Sequence, residues 1–199
     1  MLIIMVTLPF GIQSARLLLS HVGSTEEVAQ YNLASQLFSP VLAVMAAASA
    51  ALWPVYARQR ARGHIVQPHV IRIAFLTSAI ALLTGVAMAA LSPWLARVIS
   101  IDQIVFPALL PAAFCAFVAI QSLQASLGSF LTDARGLWAQ AACSMILLPA
   151  NVGLSLWLIT PFGAAGPVLA SAMCIGLIQV VPSLVLVSLR KRAIRARLI

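Results

Sequence analysis

Residues 49–64 read SAALWPVYARQRARGH and pass from a small apolar run into a cluster of arginines. Tryptophan and tyrosine prefer the boundary between hydrocarbon and water, and short arginine-rich loops stay on the cytoplasmic side of a membrane. The stretch therefore predicts the end of a membrane-spanning helix. Its predicted interface anchors are Trp53, Tyr56, Arg58, Arg60 and Arg62.

The composition of the whole chain agrees with this interpretation. Of its 199 residues, 62% are hydrophobic and only 8% are charged, whereas a soluble domain carries about 25% charged residues. The apolar runs are long and unbroken, and they lack the polar alternation of a transmembrane barrel. Because a spanning helix needs about 20 apolar residues, the sequence predicts an all-α, polytopic membrane bundle.

Six apolar segments predict six transmembrane helices in one bundle over residues 1–189, followed by a basic cytoplasmic tail at 190–199. Ser24 and Glu27 have the S-x-x-E spacing of a capping box, so the second helix is expected to start before its apolar part. The predicted helices span about 2–20, 25–58, 70–91, 104–130, 137–159 and 164–189.

The basic residues are unevenly distributed among the predicted loops. The even-numbered loops and the tail carry ten of them, the odd-numbered loops carry only Arg97, and Arg16 lies inside the first apolar segment. This asymmetry predicts an inner or plasma membrane protein with both termini in the cytoplasm. The net charge is +8, and the basic residues lie in short clusters beside apolar runs, without interleaved aromatic residues. This distribution favours lipid headgroups over nucleic acid as partners.

Catalytic and metal-binding patterns are missing from the sequence. The three cysteines fall inside apolar runs, and all four acidic residues fall at predicted helix ends or loops. There is no HExxH, P-loop or dinucleotide fingerprint. We therefore expect neither enzymatic activity nor a cofactor, and the lack of a buried carboxylate disfavours a proton- or sodium-coupled pump.

Polar side chains inside the predicted helices are the candidate functional residues, because such groups are costly in a bilayer. Arg16 has two interpretations: it reaches the interface by snorkelling, or it faces a cavity. The uncharged residues either join helices by hydrogen bonds or line a hydrated path. The candidate substrate-path residues are Arg16, Gln13, Asn32, Gln36, Gln121 and Gln124.

Two stretches resemble a known family. They are RLLLSHVGSTEEVAQYNLASQLFSPVLAVMAAASAALWPVYARQRARG at 16–63 and PFGAAGPVLASA at 161–172. The longer stretch, with its VAQY helix start, its Pro54 and its basic glycine-containing loop, is similar to the seventh-to-eighth helix region of polysaccharide-biosynthesis membrane proteins. These are lipid-linked oligosaccharide flippases of the multidrug/oligosaccharidyl-lipid/polysaccharide exporter superfamily. The shorter stretch resembles the start of that family's twelfth helix.

The resemblance implies the second half of a transporter with twelve to fourteen helices. It implies translocation of a lipid-linked oligosaccharide or polysaccharide precursor by alternating access, with an N-terminal bundle or a second chain as partner. The implied cavity is often lined by cations that face the lipid diphosphate, and Arg16 is the cation in this chain that fits such a place. The alternatives are half of a multidrug/cation antiporter and a non-transporting scaffold subunit of a membrane glycan-synthesis complex.

Overall fold

A computed structural model describes residues 16–61, 69–100 and 106–196, without the side chains of 60, 61, 100 and 191–196. These residues form a bundle of α-helices, and no strand occurs among them. The first helix, α1, is described over 16–22. It is followed by α2 (Thr25–Ala61), α3 (Val70–Ser100), α4 (Leu109–Phe130), α5 (Ala134–Phe162), a 3₁₀ turn (Gly163–Ala165), α6 (Gly166–Cys174), a π-helical segment (Ile175–Val180) and α7 (Val181–Ala196).

Four described stretches are long and apolar enough to cross a membrane: Thr25–Gln59, Val70–Ile99, Leu109–Phe130 and Ala134–Arg190. The last stretch contains a hairpin, so the long helices number five in the described part of the chain. Helix α3 continues to Ser100, past the predicted end at 91, and α7 continues into the predicted tail. A bundle of long apolar helices is thus shown, while most of the predicted helix at 2–20 lies outside the described residues.

The capping box predicted for the start of α2 is confirmed. The backbone N–H of Ser24 donates to Oε2 of Glu27 at 2.7 Å, and the backbone N–H of Glu27 donates to Oγ of Ser24 at 3.2 Å. These reciprocal bonds satisfy two donors that a helix start leaves free. Helix α2 therefore begins eight residues before the apolar run at 33, and its 37 residues extend about 55 Å at 1.5 Å per residue.

The hairpin between α5 and α6 depends on two glycines. Gly163 ends α5 with φ +51° and ψ −128°, a combination that side-chain-bearing residues rarely adopt. Gly166 then lets the returning helix approach α5 closely, because a Cβ there would lie 2.5 Å from the Leu158 carbonyl oxygen. Pro167 occupies the first turn of α6, where its missing N–H costs no helical hydrogen bond.

Helix α4 is the centre of the bundle. It contacts α2, α3, α6, the π-helical segment and α7. In its 18-residue apolar stretch 56% of the residues are buried, against 17% in the corresponding stretches of α2 and α3. Phe114 of α4 stacks on Phe38 of α2 with ring centroids 5.1 Å apart, and Phe130 meets Tyr56 edge-on at 5.6 Å. These contacts show that α2 and α4 run parallel. Helix α3 is antiparallel to α4, because Thr77 lies beside Ser126 and the later Gly85 lies beside the earlier Cys115.

The contacts also define the two ends of the bundle. At one end, which we name the basic end, the α4–α5 loop meets α7 through Asp133 and Arg190. The parallel arrangement of α2 and α4 brings Arg58 to this end too. At the opposite end, the Gly163 end, the carboxylate of Glu27 lies against Gly163. The described residues that flank the even-numbered loops thus share one end with the C-terminal segment.

Candidate functional site

A seam of hydroxyl groups joins α2, α3 and α4 in the half of the bundle toward the basic end. The hydroxyl of Ser126 lies 2.8 Å from that of Thr77 and 3.3 Å from that of Ser49. Ser129 donates to the Ser49 carbonyl at 2.9 Å, and Ser122 donates to the Thr77 carbonyl at 3.3 Å. The serine stripe of α4 therefore serves interhelical hydrogen bonding, the usual use of hydroxyls within membrane bundles.

The amides of α4 lie in a different environment. Gln124 is only 8% exposed, and its Oε1 atom has no hydrogen-bond partner among the described residues. It borders a crevice between α4, α5 and α7 with a cavity volume of about 10 Å³, close to what one water molecule requires. Oε1 of the half-buried Gln121 is likewise enclosed without a partner in the described part of the chain. The crevice is lined by Gln124, Leu131, Ala139, Gln140, Cys143, Gln179, Pro182, Ser183 and Leu186.

Two amides that stand alone in the sequence make specific contacts in the fold. Gln179, in the π-helical segment, donates to the hydroxyl of Ser144 on α5 at 3.3 Å. Oδ1 of Asn151 accepts from Ser155 at 3.4 Å and from Ser171 on α6 at 3.3 Å. These bonds hold the returning helix to α5. Sequence spacing contains no signal for the bonds to Ser144 and Ser171, since each joins residues that the hairpin brings together.

The predicted polar stripe of α2 lies on the surface of the described bundle. Asn32 is half-buried, whereas Gln36 and Ser39, on the same face, are exposed. The stripe continues along α2 with exposed small residues, Ala43, Ala46, Ala47 and Ala50. Helix α3 differs sharply, because its exposed face carries large apolar side chains, Phe75, Leu76, Ile80, Leu83, Val86, Leu91 and Trp94. The α3 face suits lipid tails, and the α2 face suits close contact with another helix or with water.

Arg16 lies near the same end of the bundle as the α2 stripe. It is exposed in α1 and interacts electrostatically with Tyr31 of α2, one residue before Asn32. Gln13 lies outside the described residues. Arg16, Asn32 and Gln36 thus belong to the half of the bundle near Gly163, whereas Gln124 faces the crevice near the basic end. The structure does not bring the two sets of amides into one cavity.

The predicted interface anchors occupy different positions at the basic end. Trp53 is 50% exposed and Tyr56 only 3% exposed, because the Tyr56 ring packs on Phe130. Arg58 is exposed, with its Nε donating to the Pro54 carbonyl at 3.4 Å. The side chains of Arg60 and Arg62 lie outside the described part. Sequence reasoning identified the aromatic pair but missed the packing role of Tyr56.

An ion pair that the sequence did not reveal closes the basic end. The two terminal nitrogens of Arg190 donate to the two carboxylate oxygens of Asp133, at 2.7 and 2.9 Å. Partial burial raises the pKa of Asp133, but the hydrogen bonds and positive charge of Arg190, together with backbone hydrogen bonds, lower it further, and the net pKa lies below its ordinary value. Such paired, bidentate geometry is the strong form of arginine–carboxylate contact.

Two further observations concern possible metal sites and similarity to known proteins. No group of three or more His, Cys, Asp or Glu able to hold a metal occurs within the described residues. The fold and the polar surfaces define an all-helical bundle of the membrane-embedded type. Comparison of the chain with family models, with curated proteins and with solved structures finds no match.

Proposed function

We propose that the chain is one wall of a membrane transport pathway, the second bundle of a flippase that exports a lipid-linked oligosaccharide or polysaccharide precursor. The observation that carries the proposal is the uncharged polar stripe of Asn32, Gln36 and Ser39 on the surface of α2, a helix long enough to span a membrane. Polar amides in hydrocarbon are unfavourable unless water or protein covers them. A hydrated cleft against a second bundle supplies that cover.

Arg16 supports an anionic substrate for this cleft. It is exposed near the polar stripe, and a guanidinium group binds phosphate through paired hydrogen bonds. A charged headgroup crosses hydrocarbon at a cost of at least about 2.5–3.5 kcal/mol per charge. A cation and neutral amides along a wet wall lower this barrier for a lipid diphosphate with attached sugars.

The proposal includes a partner and an orientation. The described helices give one wall only, so the opposite wall belongs to an N-terminal bundle or to a second chain. Both termini face the cytoplasm of an inner or plasma membrane, because the arginines cluster at the basic end. Half of a multidrug/cation antiporter fits less well, since the acidic residues that the structure describes, Glu26, Glu27 and Asp133, lie in the first turn of α2 or in a loop.

A scaffold subunit of a membrane glycan-synthesis complex is the second candidate. Tight interhelical contacts around Ser126 and the small volume of the crevice at Gln124 favour it. In a scaffold, Arg16 and Gln36 are covered by protein and line no pathway. Both candidates require another membrane protein against α2, so finding a complex does not distinguish them. A transport assay does.

The test compares Arg16→Ala with Arg16→Lys in the organism that encodes the chain. Transport by a phosphate-binding cleft predicts loss of surface glycan and accumulation of its lipid-linked precursor in the alanine variant, with largely retained export in the lysine variant. Equal protein levels in the membrane are the control. Unchanged export in Arg16→Ala contradicts a role of this residue in the pathway and favours the scaffold.

Reconstitution provides an independent test. We expect the purified chain alone to bind lipid but not to translocate a fluorescent lipid-linked oligosaccharide in liposomes, because one wall encloses no pathway. Translocation by the monomeric chain would refute the requirement for a second bundle.

A further inference from the structure

The last helical stretch contains an irregular segment next to the crevice. The six residues Ile175–Val180 are π-helical, and Pro182 follows in the first turn of α7. Both features interrupt the regular i to i−4 hydrogen bonding of an α-helix, and both are common causes of bends. A turn of α7 at this point would move Val181 to Arg190 relative to α6 and leave the α5–α6 hairpin in place.

The crevice lies where such a turn would open the bundle. Pro182, Ser183 and Leu186 of α7 form one of its sides, and Gln124 of α4 forms another. Oε1 of Gln124 is an acceptor without a donor among the described residues, and an unpaired buried acceptor is unfavourable. The cavity of about 10 Å³ is close to the size one water molecule requires, so it has room for a water that would donate to this oxygen.

The Asp133–Arg190 pair holds this segment of α7 closed. It joins the α4–α5 loop to α7 two turns beyond Pro182, at 2.7 and 2.9 Å. We propose that the crevice is the closed state of a hydrated opening, with Gln124 as its water ligand and the Asp133–Arg190 pair as its latch. Release of the pair lets α7 swing about the π-helical segment and admits water from the basic end. This inference does not depend on the proposed function.

The native cysteines provide both the probe and its control. Cys143 lines the crevice, whereas Cys115 is buried on the opposite side of α4, against Gly85 of α3. Two single-cysteine proteins, one retaining Cys143 and one retaining Cys115, are purified in detergent. Their labelling rates are measured with a cationic and with an anionic methanethiosulfonate, because charged reagents attack only thiols that water reaches.

Asp133→Asn is expected to raise the labelling rate of Cys143 about two- to fivefold, the population shift that loss of a partly exposed ion pair produces. The rise must appear with both reagents, since a change in local potential alone would move their rates in opposite directions. Exchange of the two charges, Asp133→Arg with Arg190→Asp, is expected to restore slow labelling. Addition of Gln124→Leu to the Asp133→Asn protein is expected to lower the rate again by removing the water ligand.

Three results overturn the proposal. The first is an unchanged labelling rate of Cys143 in Asp133→Asn. The second is an equal rise in the labelling rate of Cys115, because it reports general loosening of the bundle. The third is a charge exchange that fails to restore slow labelling in a protein whose circular dichroism is native. A Cys143 rate indifferent to Gln124→Leu removes Gln124 as the water ligand.

Discussion

The turn at Gly163 provides the sharpest test of the fold. Its φ of +51° with ψ of −128° belongs to a region in which a residue with a side chain costs about 1–3 kcal/mol. A Cβ at this position would also meet the carboxylate of Glu27 directly. Gly163→Ala therefore has two effects: it strains the hairpin backbone, and it pushes Glu27 out of the capping box of α2.

The magnitude follows from the two effects. Loss of the hydrogen bond from the Ser24 N–H to the Glu27 carboxylate costs about 0.5–1.5 kcal/mol. Gly163→Ala is therefore expected to lower the free energy of unfolding by about 1.5–4.5 kcal/mol, the sum of the two ranges. The matched control is Gly153→Ala in α5, where a Cβ meets nothing within 4 Å. In that exposed helical position alanine is expected to stabilise by about 0.5–1 kcal/mol.

The assay is equilibrium unfolding of the purified protein in mixed detergent–SDS micelles, followed by tryptophan fluorescence and far-ultraviolet circular dichroism. A double variant with Glu27→Ala separates the two effects. If alanine at position 163 displaces Glu27, the double variant loses the bond from Ser24 to the Glu27 carboxylate only once. Its destabilisation then falls short of the sum of the single variants by the cost of that bond. A Gly163→Ala protein as stable as Gly153→Ala would contradict the reasoning about this turn.

Three further predictions concern the basic end and the hydroxyl seam. Because the Arg190 guanidinium holds the pKa of Asp133 below its ordinary value in the folded protein, the pair stabilises the fold above about pH 5 and loses this effect as the pH falls through the folded-state pKa. The unfolding free energies of the wild type and Asp133→Asn should therefore converge in acid. Ser126→Ala should cost about 0.6–1.7 kcal/mol in SDS unfolding, and more than Thr84→Ala, whose hydroxyl bonds only within α3. In an Arg58→Cys protein, the new thiol should react with an impermeant maleimide in inverted membrane vesicles and not in intact cells. The opposite result would reverse the proposed orientation.

The candidate polar residues illustrate how far sequence reasoning reaches. Periodicity places Asn32 and Gln36 on one face of a helix, and the structure shows Gln36 exposed and Asn32 partly so. Periodicity does not reveal whether a face meets lipid, water or protein. The environment of Gln124 depends on α5, which follows α4 directly, and on α7, which returns beside α4 only after the Gly163 turn.

Tyr56 shows the same limit at the predicted interface. Aromatic residues at the end of an apolar run indicate the membrane boundary, and Trp53 is exposed as such a residue should be. Tyr56 lies three residues further along α2, on the face toward α4, and its ring packs against Phe130. The rotation of a helix about its own axis is set by its neighbours, which local sequence does not specify.

The sequence by itself determined the helical, membrane-embedded character of the protein, the start of α2 at its capping box and the separation of basic from uncharged loops. These properties depend on composition and on contacts three or four residues apart, which any stretch of chain carries locally. Only the tertiary structure decided that α4 is central, that Ser126 joins three helices and that Asp133 meets Arg190. Those contacts join residues 49 to 77 positions apart, and only the packing of whole helices brings them within hydrogen-bond distance.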